Sequence, residues 1–112
     1  MLLRTYKITK KSEIEKLAKT GRRLGSVFFI VKVKKNILNT TRWIIIVSTK
    51  VSKSAVKRNR LRRQIREIIR VELLEDNTSS DIMVVVKDNA LNADFSALKD
   101  DLLKLYKKLK II

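Results

Sequence analysis

The sequence predicts an α/β (α+β) fold in one domain over residues 1–112, a small mixed sheet packed against helices. Three observations carry this. Two short β-branched runs, Trp43–Val47 and Ile82–Val86, flank a long segment of helical periodicity. That is a βαβ unit, which implies parallel pairing within the sheet. A leucine stripe at helical spacing closes the chain. Hydrophobic residues make up 45% of 112 residues, enough to bury one core but not two sizeable ones.

The elements follow in order. Met1-Leu2-Leu3-Arg4 is not expected to open a secretory signal, because no long apolar segment follows it. Ser12 followed by Glu15 reads as a capping box opening a short helix to about Lys19, with Ile14, Leu17 and Ala18 on one face. Gly21 is its expected end. Val27–Lys34 is rich in β-branched and aromatic residues and reads as a strand, and Lys35–Thr40 as the loop after it. Arg42–Ser48 is a second strand, apolar on both faces and so expected at the centre of the sheet. Lys53 to about Leu74 is helical, with Ser52 or Ser54 as cap. Glu75–Asp81 reads as a polar loop and Ile82–Val86 as a third, buried strand. The last helix starts near Phe95, with Asp94 as candidate cap and Phe95, Leu98, Leu102, Leu105 and Leu109 as its stripe.

Composition narrows the function. The formal net charge is +16, and a polyanion is the obvious reason to carry it. Residues 1–70 hold 21 Lys/Arg against 3 Asp/Glu, a net of +18, while residues 71–112 hold 6 against 8, a net of −2. A genome-wide lysine bias would act on both parts alike. There is no Cys and no His, which excludes disulfides, thiolate chemistry, Cys/His zinc sites and histidine acid–base catalysis. No catalytic residue is expected, and Asp100-Asp101, Glu75-Asp76 and Asp81 read as helix-surface and loop residues. The apolar runs are too short to span a bilayer, so no membrane partner is expected, and a cytoplasmic location fits the lack of Cys.

The most informative segment is the central helix. From Lys57 to Arg70 it holds seven basic residues and one acid. At about 100° per residue, Leu61, Ile65, Ile68 and Ile69 share one face. Asn59, Arg63, Arg66 and Arg70 fall nearly opposite, with Arg60 and Arg62 on the flanks and Arg58 nearer the apolar side. Like charges three and four residues apart cost about 0.2–0.5 kcal/mol per pair. Arriving phosphates remove that cost, and the planar guanidinium suits them because it can grip two oxygens at once. Asn59 reads either as an amide for a base or ribose, or as a residue that orients Arg58 and Arg60.

The run from Lys50 to Glu67 resembles the signature of the bacterial ribonuclease P protein subunit, roughly S-K-K-x-G-x-A-V-x-R-N-R-x-K-R-x-x-R-E. Lys50, Ala55, Val56, Arg58-Asn59-Arg60, Arg63, Arg66 and Glu67 match it, and Arg62 replaces a usual Lys with charge preserved. The resemblance implies an α/β two-layer sandwich of order roughly αβββαβα. It adds a fourth strand to the three read here and a left-handed βαβ crossover, where the default is right-handed. It implies a protein that joins a catalytic RNA subunit, the complex removing the 5′ leader of precursor tRNA by hydrolysis. That hydrolysis uses Mg2+ held mainly by the RNA, and no metal site on this chain is expected. The resemblance and the charge pattern together give as RNA-binding residues Lys50, Lys53, Lys57, Arg58, Asn59, Arg60, Arg62, Arg63, Arg66 and Arg70.

The departures are local. Lys53 stands where the family usually has Gly, and Val51 where it has a second Lys. A leader cleft between the first helix and the sheet often carries aromatics in the family. The positions here are Ile14, Ala18 and Lys32, with Phe28 as a further candidate. Stacking is worth about 1–3 kcal/mol per base, and Ile, Ala and Lys cannot supply it, so leader binding is expected to rest more on charge. Phe28 and Phe29 are expected on opposite strand faces, one in the core, and the pattern leaves open which. Two other classes stay in view: a ribosomal or ribosome-assembly RNA-binding protein, and a self-sufficient protein nuclease.

Overall fold

The computed structural model describes residues 7–73, 76 and 78–111. The expectations for Met1–Arg4, for the helix end at Leu74, and for Glu75 and Asn77 in the polar loop lie outside the described residues. Helix α1 (Lys11–Thr20) leads into strands β1 (Arg22–Gly25), β2 (Phe29–Lys35) and β3 (Arg42–Ile46). Helix α2 (Ala55–Ile68) runs into a π-type turn, Ile69–Leu73, and strand β4 (Ser80–Val86) follows. A 3-10 turn, Asp88–Asn92, precedes helix α3 (Phe95–Ile111). The strand order is β1-β2-β4-β3, with β3 parallel to β4 and the other pairs antiparallel. The mixed sheet with its βαβ unit is as the sequence predicts.

Which strand is central is corrected. β3 is an edge strand and β4 lies between β2 and β3. The both-face apolar pattern of Trp43–Val47 reports layers above and below the sheet, not ladder neighbours on both sides. Lys7 bridges Trp43, and Ile8 N–H donates to the Trp43 carbonyl at 3.0 Å, so the outer edge of β3 is itself partly paired. On one face Phe29, Val31, Trp43, Ile82, Val84 and Val86 meet Leu61, Ile65 and Ile68 of α2 and Leu98, Leu102 and Leu105 of α3. On the other, Ile8, Leu17 and Met83 pack with Ile14, Ala18, Ile44, Ile46 and Val85.

Several local expectations change. The fourth strand, β1, is Arg-Arg-Leu-Gly, mostly exposed, with only Leu24 packed on the core, so it carries almost no alternation to read. Ser12 lies inside α1, whose N-cap is Lys10 with no side-chain bond. Ser54, not Ser52, caps α2, its Oγ accepting from Lys57 N–H at 3.3 Å. Asp94 caps α3 through Ala97 N–H at 2.8 Å. Phe95 stands 39% exposed, and Tyr106 joins the buried stripe, stacked on Trp43 with ring centroids 5.9 Å apart.

Of the two phenylalanines, Phe29 enters the core. Phe28 precedes β2, in a bend that Asp101 of α3 holds. The Asp101 carboxylate accepts from Ser26 Oγ at 2.7 Å and from Phe28 N–H at 2.9 Å. Strand alternation therefore does not reach Phe28, which packs against the α2–α3 core edge-on to Phe29. Asp101 is thus a structural clamp rather than a bare surface acid.

A second clamp fixes α1. Asp81 opens the face of β4 that looks toward α1, opposite Lys34 of β2 and Arg42 of β3. Its carboxylate accepts from Arg42 Nε at 2.9 Å, Arg42 Nη2 at 2.8 Å and Asn36 Nδ2 at 2.9 Å. Arg42 Nη2 also donates to Glu13 of α1 at 2.5 Å. Partial burial pushes the Asp81 carboxyl up, and the Arg42 and Asn36 hydrogen bonds outweigh it, holding the group below its ordinary value.

Two outcomes follow for stability. A carboxyl held low contributes stability above its ordinary pKa and loses it as pH falls through the lowered one. Asp81→Asn should cost about 1–3 kcal/mol near neutral pH, with the gap from wild type narrowing below about pH 4. Urea unfolding at pH 7 and pH 3 measures this, and an equal gap at both contradicts it. Ser54→Ala should cost about 1 kcal/mol by loss of the α2 cap, read in the same assay.

Candidate nucleic-acid interface

The site is built on α2. Leu61, Ile65, Ile68 and Ile69 are at most 1% exposed, which fixes the rotation of the helix about its axis. Lys57, Asn59, Arg60, Arg63 and Arg70 are consequently exposed, and Arg58, Arg62 and Arg66 half-buried. The first turn of α2 carries no acid, so the positive end of the helix dipole adds to the lysines around it. Lys50 and Lys53 are exposed on the connection that enters the helix.

The arginines divide into two sets. Arg58 Nη1 donates to the Ser52 carbonyl at 2.9 Å, and Arg62 Nη2 to the Val47 carbonyl at 3.3 Å. Both fold back on the chain between β3 and α2 and brace the helix start against the strand end. Asn59 Oδ1 accepts from Arg62 Nη1 at 2.6 Å. Asn59 therefore orients Arg62, not Arg58 or Arg60. Residues three apart sit one above the other on a helix, whereas adjacent residues point about 100° apart.

Lys50, Lys53, Lys57, Arg60, Arg63 and Arg66 make no side-chain hydrogen bond or ion pair among the described residues. The one acid of α2, Glu67, pairs with Arg70, whose guanidinium holds the Glu67 carboxyl below its ordinary value. Apart from the Glu67–Arg70 pair, no carboxylate among the described residues bonds the charged side of the helix.

Val56 is a further residue of this surface, 76% exposed at the start of α2. Its signal in the sequence was its angle: five residues before Leu61, it lies about 140° off the apolar stripe.

On the other face of the sheet, Ile14 and Ala18 of α1 and Lys32 of β2 come together. Ile14 and Ala18 pack against the small core there, and Lys32 Nζ donates to the Ala18 carbonyl at 2.6 Å. That cation satisfies a carbonyl in the last turn of α1. Arg23 sits across from Lys32 in the β1–β2 register, and Lys34, next on the same face, donates to Thr20 Oγ1 at 3.3 Å. Phe28 is not part of this group, because it packs against the opposite core.

The family model described as Ribonuclease P matches residues 2–110. A ribonuclease P protein component of Thermoanaerobacter sp. (strain X514) is 34% identical over 108 residues, covering 96% of this chain and 92% of that protein. One from Mycoplasma mycoides subsp. mycoides is 31% identical over 104 residues, covering 92% and 94%. The Staphylococcus aureus RNase P protein structure superposes with a TM-score of 0.85 at 27% identity, covering 94% of this chain and 95% of that one. The Thermotoga maritima RNase P protein gives 0.82 at 27%, covering 91% and 96%. The family model and these relatives agree, and the chain belongs to the ribonuclease P protein family.

Proposed function

We propose that this chain binds the catalytic RNA subunit of a bacterial ribonuclease P and the 5′ leader of its precursor tRNA, and assists removal of that leader. The observation that carries the reading is the cationic row on α2, turned outward by the buried stripe beneath it and left unneutralised at Lys57, Arg60, Arg63 and Arg66. Its action is physical. Guanidinium groups screen the phosphate repulsion between two RNAs, and Arg forks add directional contacts. The relatives named above are ribonuclease P proteins, which favours this reading over a ribosomal or ribosome-assembly role.

Hydrolysis is assigned to the RNA, with Mg2+ held mainly by it. Among the described residues no three carboxylates come together, and α2 offers only Glu67, already bonded to Arg70. The leader is assigned to the α1 face, where Ile14 and Ala18 offer apolar contact and Arg23, Lys32 and Lys34 offer charge in place of stacking. The compartment is taken to be the cytoplasm.

Reconstitution tests the proposal. With a ribonuclease P RNA transcript of Thermoanaerobacter pseudethanolicus, the protein should raise precursor-tRNA cleavage at low Mg2+, while protein and Mg2+ without that RNA should give none. Equal cleavage with and without protein contradicts the reading. The log of the RNA affinity should fall with log salt by about 0.7–0.9 per neutralised phosphate. Arg66→Ala should weaken binding and flatten that slope by about one contact. An affinity indifferent to salt contradicts the electrostatic basis.

A further inference from the structure

The acid in the middle of the cationic row has no place in a purely electrostatic account. Glu67 follows Arg66 directly and lies four residues after Arg63 and three before Arg70. On a surface that meets a polyanion, a carboxylate there subtracts from affinity. Yet both of its oxygens are engaged with one partner. Oε2 accepts from Arg70 Nε at 3.1 Å and Oε1 accepts from Arg70 Nη2 at 2.6 Å.

Two bonds from one edge of a guanidinium fix its plane as well as its position. Of the five N–H donors of Arg70, the pair uses two, on the Nε–Nη2 edge. Three remain: one on Nη1 and one on Nη2 form the Nη1–Nη2 edge, the second fork that can grip two oxygens, and the other on Nη1 points back toward Cδ. Arg70 needs such a restraint more than its neighbours do. It lies beyond the last residue of α2, in the wider π-type turn, and its side chain is 41% exposed. Unlike Arg58 and Arg62, it is braced by no backbone carbonyl among the described residues.

We propose that Glu67 is a positioning residue for RNA: it holds Arg70 so that the free Nη1–Nη2 edge faces a phosphate. This rests on the RNA-binding reading above. The simpler role, an i,i+3 pair that only steadies the helix, leaves RNA affinity to follow charge alone.

The two roles differ in sign, and a double-mutant cycle reads the sign. Glu67→Gln, Arg70→Ala and the double variant are titrated with the Thermoanaerobacter pseudethanolicus transcript at about 0.15 M salt, with thermal midpoints as a folding control. By charge alone, Glu67→Gln gains up to one effective contact and binds as much as about fivefold tighter, whether or not Arg70 is present. By positioning, Glu67→Gln weakens binding about three- to tenfold although it removes a negative charge, the worth of one directed hydrogen bond. In the Arg70→Ala background the same change then gives no loss. Glu67→Asp keeps the charge and loses the reach, and it too should weaken binding.

Tighter or unchanged binding by Glu67→Gln with Arg70 present overturns the proposal, as does an equal loss in both backgrounds. Failure of the wild-type chain to bind the transcript overturns the RNA reading itself. Firm wild-type binding with the wrong cycle overturns only the role of Glu67.

Discussion

The interaction on which the rest depends is the burial of Leu61, Ile65, Ile68 and Ile69 beneath α2. Fully burying such a side chain is worth about 1.5–3 kcal/mol, against about 0.2–0.5 kcal/mol for each like-charge pair on the outer side. Packing therefore decides the orientation, and the arginines accept the direction it leaves them. The parallel pairing of β3 and β4 serves the same end, because it obliges the chain to cross the sheet and gives α2 a floor to lie on.

The scarce acids are spent on architecture. Glu13 and Asp81 hold Arg42 and so tie α1 to the sheet. Asp101 closes the bend before β2, Glu72 pairs with Lys99 across the α2–α3 boundary, and Glu67 takes Arg70. Each of these carboxylates is matched to a named cation or to hydrogen-bond donors nearby. None of the five bonds Lys57, Arg60, Arg63 or Arg66.

Much of this was legible in the sequence, for a physical reason. α2, α3, β2, β3 and β4 each carry a strong apolar pattern, and pattern reports burial. What stayed hidden depends on contacts distant in the chain or on weak local signal. β1 has one inward residue, Leu24, and so no period. β3 looked central because helices and the segment through Ile8 cover it, a fact about layers that alternation cannot separate from neighbours. Asp101 acts 73 residues away from Phe28, and no local rule links them. Within the site, the basic positions were readable from the helical period, but the split between braced and unbraced arginines was not. It turns on where the Ser52 and Val47 carbonyls lie.

That bracing has a mechanical consequence. With Arg58 and Arg62 bonded to the strand-to-helix connection, the entrance to α2 has little freedom to swivel against the sheet. The cations of α2 are thereby set out like the openings of a stencil, at a spacing the bracing keeps constant.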